Sequence, residues 1–184
     1  MSQALLVMDM QVAVLSRYEQ IEPLLQNINK TVAAAEKAGI PVIYVKVAFR
    51  PGFPEVSANN KMFGHLKNMP AYNSNDASNL HPSLQVVPGA IQVEKKRISA
   101  FTGSDLEVIL RSQQITQLIL CGVATSGVVL STLREAADKD YAITVLQDCC
   151  TDADKEVHEV LMNKVFARQA TVTTHTEWMQ ALVK

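Results

Sequence analysis

The chain has 184 residues, a formal net charge of −1 at pH 7, and hydrophobic and charged fractions of 48% and 19%. This composition is typical of a globular protein, and it excludes a disordered chain, a fibrous repeat and a small disulfide scaffold. The balanced charge offers no general attraction for nucleic acid, and the apolar stretches are too short to cross a membrane. We therefore expect one domain over residues 1–184, with no nucleic-acid or membrane partner.

The beginning of the chain predicts a β-α-β unit. The apolar run Ala4–Met8 has the length of a strand that is buried on both faces of a parallel sheet, and it ends at Asp9. A helix is predicted over Ile21–Ala38, because apolar residues recur along one face and Gly39 follows as a terminator. The second strand is predicted at Val42–Val45.

Strands and helices keep alternating after an irregular segment at residues 49–89, which carries five of the seven prolines. Long segments of this kind are often binding loops or lids. The later predicted strands are Ile91–Val93, Leu118–Cys121, Ala142–Leu146 and Ala170–Thr173. The later predicted helices are 105–111, a helix from Thr125 or Ser126 to Lys139, a helix from Asp152 or Asp154 to Phe166, and 177–183. This alternation predicts an α/β fold in which helices cover both faces of a parallel sheet.

Two charged residues stand where such a sheet binds its ligands, at the carboxyl ends of its strands. Asp9 follows the first predicted strand, and Lys95 follows the third. An acid buried there is costly unless it is paired, so we expect an ion pair between them at the ends of neighbouring strands. Such a pair is either catalytic or purely structural.

Cofactor and metal motifs are missing from the sequence. Neither glycine-rich phosphate loop occurs, and the four histidines lack the spacing of metal ligands. The three cysteines, two of them adjacent, and the lack of a basic leader at the N-terminus indicate a reduced, cytoplasmic protein. We therefore expect no cofactor and no metal.

Three blocks of sequence, lying in order between Leu5 and Trp178, resemble the isochorismatase-like hydrolases, also called the cysteine hydrolase family. They are LLVMDMQ, EKKRISAFTGSDL and LCGVATSGVVLSTLREAADKDYAITVLQDCC. The resemblance implies a three-layer α/β/α fold with six parallel strands in the order 3-2-1-4-5-6. It also implies a hydrolase of a small molecule, and a cis peptide bond between Val123 and Ala124.

The resemblance further implies that Asp9 is the catalytic acid and Lys95 the catalytic lysine, with Lys96 as the alternative if the register differs by one. The family's cysteine nucleophile aligns with Val128. A valine cannot attack a carbonyl, which excludes the usual covalent route. Isochorismatases have glycine there and hydrolyse a vinyl ether, so the resemblance implies acid chemistry by Asp9 with water as the nucleophile.

Other cysteines are weak candidates for a nucleophile. Cys121 is expected in the core, whereas Cys149 and Cys150 end the fifth strand, nearer the crevice. Nothing in the sequence indicates a lowered thiol pKa. The alternative to an enzyme is an inactive small-molecule-binding protein of the same fold, which Val128 favours and the retained Asp9 disfavours.

The expected substrate site combines a cation, apolar walls and backbone groups. Arg50 follows the second strand, where it either binds a substrate carboxylate or is an ordinary surface residue. Phe53 and Phe101 are candidate walls, with the core as an equal possibility for Phe101. The resemblance adds the crevice-facing block Val123, Ala124 and Thr125.

Assembly is also implied by the resemblance, because members of the family usually associate. The apolar residues Val128, Val129, Leu130 and Leu133 offer surface for this purpose. We therefore expect a homodimer or a higher homo-oligomer.

Overall fold

The computed structural model describes residues 2–69 and 76–183, which form a six-stranded sheet with helices on both faces. The strands are β1 (Gln3–Met8), β2 (Val42–Val47), β3 (Ile91–Lys95), β4 (Gln117–Val123), β5 (Ala142–Thr151) and β6 (Thr171–Thr173). The helices are α1 (Val12–Leu15), α2 (Glu22–Lys37), α3 (Leu106–Ser112), α4 (Leu130–Asp138), α5 (Lys155–Val160) and α6 (His175–Ala181). All strand pairs are parallel and the order is β3-β2-β1-β4-β5-β6, so the predicted fold and strand order are confirmed.

Two apolar cores cover the two faces of the sheet, and β1 contributes to both. Leu6 and Met8 pack in the core that includes α3 and α4, whereas Leu5 and Val7 pack in the core that includes α2 and α6. Successive residues of a strand point to opposite faces. A strand covered on both sides therefore needs an unbroken apolar run, which is the pattern that β1 has.

Local sequence signals explain where several elements begin and end. Helix α2 has proline in its first turn, and Gly39 follows its end with a φ of 68°. Helix α6 begins earlier than predicted, because Thr174 caps it and Glu177 is the third-residue partner in a capping box. Strand β5 runs beyond its predicted end, because Cys150 and Thr151 still pair with β4.

The helix predicted over 125–139 has two parts. A π-helical turn covers Thr125–Val129, and Gly127 departs from helical geometry within it (φ −96°, ψ −107°). The regular helix α4 starts only at Leu130.

The apolar residues expected to serve association belong to this molecule's own core. Val128 is 2% exposed, Val129 and Leu133 are fully buried, and Leu130 is partly buried against the same core. They pack in the core between the sheet and its helices. The expectation that these residues offer apolar surface for association is therefore wrong. The exposed apolar side chains in the described part of the chain include Val157 and Val160 on α5.

Residues 49–89 are irregular, as predicted, in the part that the structure describes. A short 3-10 turn occurs at Leu66–Asn68, and residues 70–75 lie outside the described part of the chain. Val56, Phe63 and Leu66 form a small apolar cluster with Val47 at the end of β2, which fixes this segment over the carboxyl edge of the sheet. No described helix is both long enough and apolar enough to span a bilayer.

Candidate active site

A buried ion pair lies at the carboxyl edge of the sheet. Lys95 is the last residue of β3, and its Nζ lies 3.0 Å from Oδ2 of Asp9, which follows β1. Asp9 is 7% exposed and Lys95 is 2% exposed. The predicted ion pair is confirmed, but the prediction that its strands are neighbours is wrong, because β2 lies between them. The long lysine side chain spans the intervening strand.

The ammonium group of Lys95 is fully engaged. Besides Asp9, it donates hydrogen bonds to the carbonyl oxygens of Arg97 and Ile98, each at 3.0 Å. The neighbouring Lys96 instead donates to the carbonyl of Ala48. Lys95, rather than Lys96, is therefore the lysine that pairs with Asp9. Its three contacts hold the positive charge of the ammonium group in place.

Asp9 has one engaged and one unengaged carboxylate oxygen. Oδ2 accepts from Lys95, whereas Oδ1 is buried and has no hydrogen-bond partner among the described residues. Burial raises the pKa of Asp9, and the attraction of Lys95 only partly opposes that rise. Asp9 also has a φ of 55°, a left-handed conformation that aspartate tolerates better than most residues. A carboxyl held in this way keeps its proton more readily than an exposed one.

A cavity of about 150 Å³ opens beside the ion pair. Its volume is smaller than the ~300–1,000 Å³ of sites for drug-sized ligands, so it suits a small metabolite. Phe63 and Leu66 of the irregular segment line one side, and Val123, Ala124 and Val128 line another. The cavity thus contains an acid–lysine pair and has mainly apolar walls.

The segment between β4 and α4 forms one wall of the cavity. It contains Val128, which aligns with the nucleophile of the family that the sequence resembles. The peptide bond between Val123 and Ala124 is cis, as the resemblance implies. Val128 contributes only hydrocarbon to the cavity. Thr125 does not line it, because its hydroxyl is buried and bonds to Nδ1 of His158 at 2.8 Å. Thr125 therefore fixes the turn from behind the cavity.

Three further predicted substrate-binding residues lie outside the cavity. The side chain of Arg50 is 73% exposed and bonds to Glu55 at 2.6 Å. Phe53 stacks on Phe49 in the irregular segment, with ring centroids 5.4 Å apart. Phe101 packs in the core, 6.1 Å from the ring of Tyr141. For Arg50 and Phe101 the structure shows the alternative that the sequence left open, an exposed surface residue and a core residue respectively.

The structure brings other residues to the cavity in their place. Phe63 and Leu66 come from the segment predicted to be a binding loop, so their region, although not their identity, was indicated by the sequence. Arg17 and Tyr18, which follow α1, also line the cavity. They lie in a short polar connection that carries no motif, and no signal in the sequence identifies them.

The cysteines are poorly suited to nucleophilic chemistry. All three are free and buried, and none lines the cavity. Burial raises the pKa of Cys149 to about 12, and it also raises the pKa of Cys121 and Cys150. Only a thiolate is an effective nucleophile. These thiols remain protonated at neutral pH.

One set of three potential metal ligands lies close together in the described part of the chain: Asp148, Cys149 and His175. Both carboxylate oxygens of Asp148 are used by His175: Oδ1 accepts its backbone N–H at 2.8 Å, and Oδ2 lies 2.6 Å from Nδ1. These contacts join the end of β5 to the first residue of α6. They account for the cluster without an ion.

Known proteins resemble this chain in sequence. The profile of the isochorismatase domain matches residues 3–177. Ureidoacrylate amidohydrolase RutB from Pseudomonas syringae is 32% identical over 176 residues, which cover 87% of this chain and 68% of RutB. The uncharacterized isochorismatase family protein YwoC from Bacillus subtilis is 29% identical over 179 residues, which cover 96% of this chain and 92% of YwoC.

Solved structures share the fold. An isochorismatase family protein from Burkholderia thailandensis has a TM-score of 0.86 at 25% identity, covering all of this chain and 96% of its own. A cysteine hydrolase from Pseudomonas syringae pv. phaseolicola has a TM-score of 0.90 at 21% identity, with 99% and 92% covered. The fold, the family profile and the relatives agree over nearly the whole sequence. The chain belongs to the isochorismatase family of hydrolases.

Proposed function

We propose that this protein hydrolyses a small molecule by acid catalysis, with Asp9 as the proton donor, Lys95 as its fixed counter-charge, and water as the nucleophile. The observation that carries the proposal is Oδ1 of Asp9, which is buried beside the cavity without a partner among the described residues. Buried polar atoms are nearly always hydrogen-bonded, and a catalytic role is one of the recognised explanations for an exception. A bound substrate would give this oxygen a partner that the described residues do not provide.

The environment of Asp9 supports both halves of a proton transfer. Before transfer, burial favours the neutral carboxyl and keeps the proton available. After transfer, the ammonium of Lys95 at 3.0 Å stabilises the carboxylate that forms. Because Lys95 already donates three hydrogen bonds, we give it this electrostatic role and no direct contact with the substrate.

For a vinyl ether, the reaction balances with one water. The proton on Asp9 is transferred to the alkene carbon, and the C=C electron pair forms the new C–H bond. Water attacks the resulting oxocarbenium carbon, and the proton it releases returns to Asp9. The proton of the hemiketal hydroxyl then passes through water to the ether oxygen as the original C–O bond breaks, which gives a ketone and an alcohol. No covalent enzyme intermediate is needed. This agrees with the aliphatic side chain of Val128, which lines the cavity where the family has its cysteine nucleophile.

The pH dependence tests the direction of proton transfer. We expect kcat/KM to fall as the pH rises through the pKa of Asp9, because only the neutral carboxyl can donate. Since burial raises this pKa, the fall should begin at a higher pH than for an exposed aspartate. A pH–rate profile on a vinyl ether substrate measures it. A profile that rises with pH over the same range would assign Asp9 the role of a base and contradict the proposal.

Thiol alkylation tests the absence of a cysteine nucleophile. Iodoacetamide should leave the activity of the native protein unchanged, because its three thiols are buried and lie outside the cavity. Residual activity and adduct number by mass spectrometry are measured together. As a control, protein unfolded in urea should take up three adducts. Inactivation that accompanies a single adduct, and that a ligand prevents, would show that a cysteine does act.

A second candidate function is ligand binding without turnover. Val128 favours this function, because its aliphatic side chain cannot act as the nucleophile that the family has at this position. A screen of vinyl ethers and amides separates the two functions. Turnover that requires Asp9 supports the hydrolase, whereas binding with no turnover across the screen supports the binding protein. Amides belong in the screen because one relative, RutB, is an amidohydrolase.

We further propose that the chain acts in the cytoplasm as a homodimer or a higher homo-oligomer. The three free thiols suit a reducing compartment. The exposed pair Val157 and Val160 on α5 gives association an apolar contact. Light scattering at micromolar concentration tests the assembly, and a particle with the mass of one chain would contradict it.

A further inference from the structure

The cavity wall that contains Val128 is built from irregular backbone. In the π-helical turn Thr125–Val129, the N–H groups of Gly127 and Val129 both donate to the carbonyl of Ala124, and Gly127 departs from helical geometry. Ala124, Gly127 and Val128 line the cavity. A single turn of this kind has few hydrogen bonds of its own, so its position depends on contacts from other elements.

Two side chains from the segment that follows β5 contact this turn. The carboxylate of Asp152 accepts a hydrogen bond from the backbone N–H of Ser126, with 2.7 Å between nitrogen and Oδ2. Nδ1 of His158 lies 2.8 Å from the hydroxyl oxygen of Thr125, a residue that is fully buried. A buried hydroxyl that loses its partner carries the cost of its desolvation. The contact with His158 therefore constrains where Thr125 can lie.

His158 is the residue through which α5 faces this turn. Of the six residues of α5, all of which the structure describes, only His158 is not exposed. The helix is fixed at its start by Asp154, whose side chain accepts hydrogen bonds from two backbone N–H groups of the first turn. Burial lowers the pKa of His158, although Asp152 and Glu159 oppose this shift, and the neutral imidazole is thereby favoured. In the neutral ring, Nδ1 can accept the hydrogen bond that the hydroxyl of Thr125 donates.

We propose that His158 is a positioning residue, which fixes the cavity wall through its contact with Thr125. The part of the wall concerned contains Ala124 and Val128. The inference rests on the proposed function, because this wall orients a substrate toward Asp9. His158 is not among the described residues that line the cavity, so its effect on a substrate is indirect. A displacement of about 1 Å at a reacting centre can lower a rate about 100-fold, and a residue behind the wall can therefore control the rate.

Hydrogen–deuterium exchange measured by mass spectrometry tests the positioning without requiring turnover. In His158→Leu, which removes the acceptor, we expect the backbone N–H groups of residues 125–129 to exchange about 3- to 10-fold faster, the factor for loss of one hydrogen bond. Thr125→Val removes the hydroxyl from a side chain of the same shape and should accelerate exchange in the same groups. His81→Leu is the matched control, because Nδ1 of His81 also accepts a hydrogen bond, from the N–H of Ser83, but does so outside the cavity. It should leave exchange at 125–129 unchanged.

Steady-state kinetics separate positioning from substrate binding. The probe is ethyl vinyl ether, whose hydrolysis gives acetaldehyde and ethanol, together with any substrate that the screen identifies. In His158→Leu, kcat should fall about 10- to 100-fold while KM changes less than about threefold, because every residue that lines the cavity is kept. His158→Asn should recover part of kcat, since its side-chain oxygen can accept from the hydroxyl of Thr125. The double variant Thr125→Val with His158→Leu should be no slower than the slower single variant, because both changes remove the same contact.

The outcomes distinguish this inference from the proposed function. Unchanged exchange at 125–129 in His158→Leu and Thr125→Val would overturn the inference, and so would faster exchange throughout the molecule, which would give His158 a role in general stability. Faster exchange confined to the turn, with no turnover of any screened compound, means that the proposed function fails while the positioning stands. Turnover that requires Asp9 but is unchanged in His158→Leu means the reverse. If His158→Leu does not fold, Thr125→Val decides by the same criteria.

Discussion

Replacement of Asp9 by asparagine should lower kcat/KM by about 10²- to 10⁴-fold, the usual cost of losing a general acid. The side chain keeps its size and an oxygen that can accept from Lys95, but it has no proton of suitable acidity to transfer. Asparagine also tolerates the left-handed φ of 55° at this position. The backbone conformation at the site should therefore be retained.

The same substitution leaves the buried ammonium of Lys95 without an anion, so the stability of the variant must be measured beside its activity. Losing one partner of a buried ion pair costs about 3–5 kcal/mol. Urea unfolding gives the folded fraction to which the rates are normalised. Asp138→Asn, at an exposed aspartate on α4, is the matched control and should change neither quantity. A folded Asp9→Asn protein with more than a tenth of wild-type activity would remove Asp9 from the mechanism.

Replacement of Gly122 by alanine should have the largest effect on stability. Gly122 pairs with Met8 in the sheet and has a φ of 133°, which side-chain-bearing residues rarely adopt. An added Cβ would lie 2.1 Å from the carbonyl oxygen of Met8. Relief of this clash requires β4 to move away from β1, directly beside Asp9 and the wall formed by Val123 and Ala124. We expect a loss of more than about 4 kcal/mol, or no folded protein at all.

The control for Gly122 separates backbone strain from steric clash. Gly39 also has a positive φ, of 68°, but a Cβ added there meets no atom within 4 Å. Gly39→Ala should therefore cost only about 1–2 kcal/mol, the strain of the left-handed conformation alone. Urea unfolding of both variants measures the difference. If Gly122→Ala were as stable as Gly39→Ala, the close approach of β4 to β1 would not depend on glycine.

The sequence by itself determined the α/β class, because the signals for alternating strands and helices are local, whereas the strand order came from the resemblance to the family. An unbroken apolar run such as Ala4–Met8 is typical of a strand that is covered on both faces, and Gly39 ends α2 through its own conformational freedom. Asp9 and Lys95 were identified as an ion pair by the same kind of reasoning, since a charge at the end of a buried strand needs a partner.

Only the tertiary structure decided which side chains surround that pair. Arg50 and Phe53 belong to an irregular segment whose path follows no period, so the local pattern could not show that one bonds to Glu55 and the other packs on Phe49. Arg17 and Phe63 reach the cavity because elements distant in sequence meet at the carboxyl edge of the sheet. The unpartnered oxygen of Asp9 is likewise a property of everything packed around it. Long-range packing therefore determines the charge and shape of the cavity, and local pattern determines the sheet that carries it.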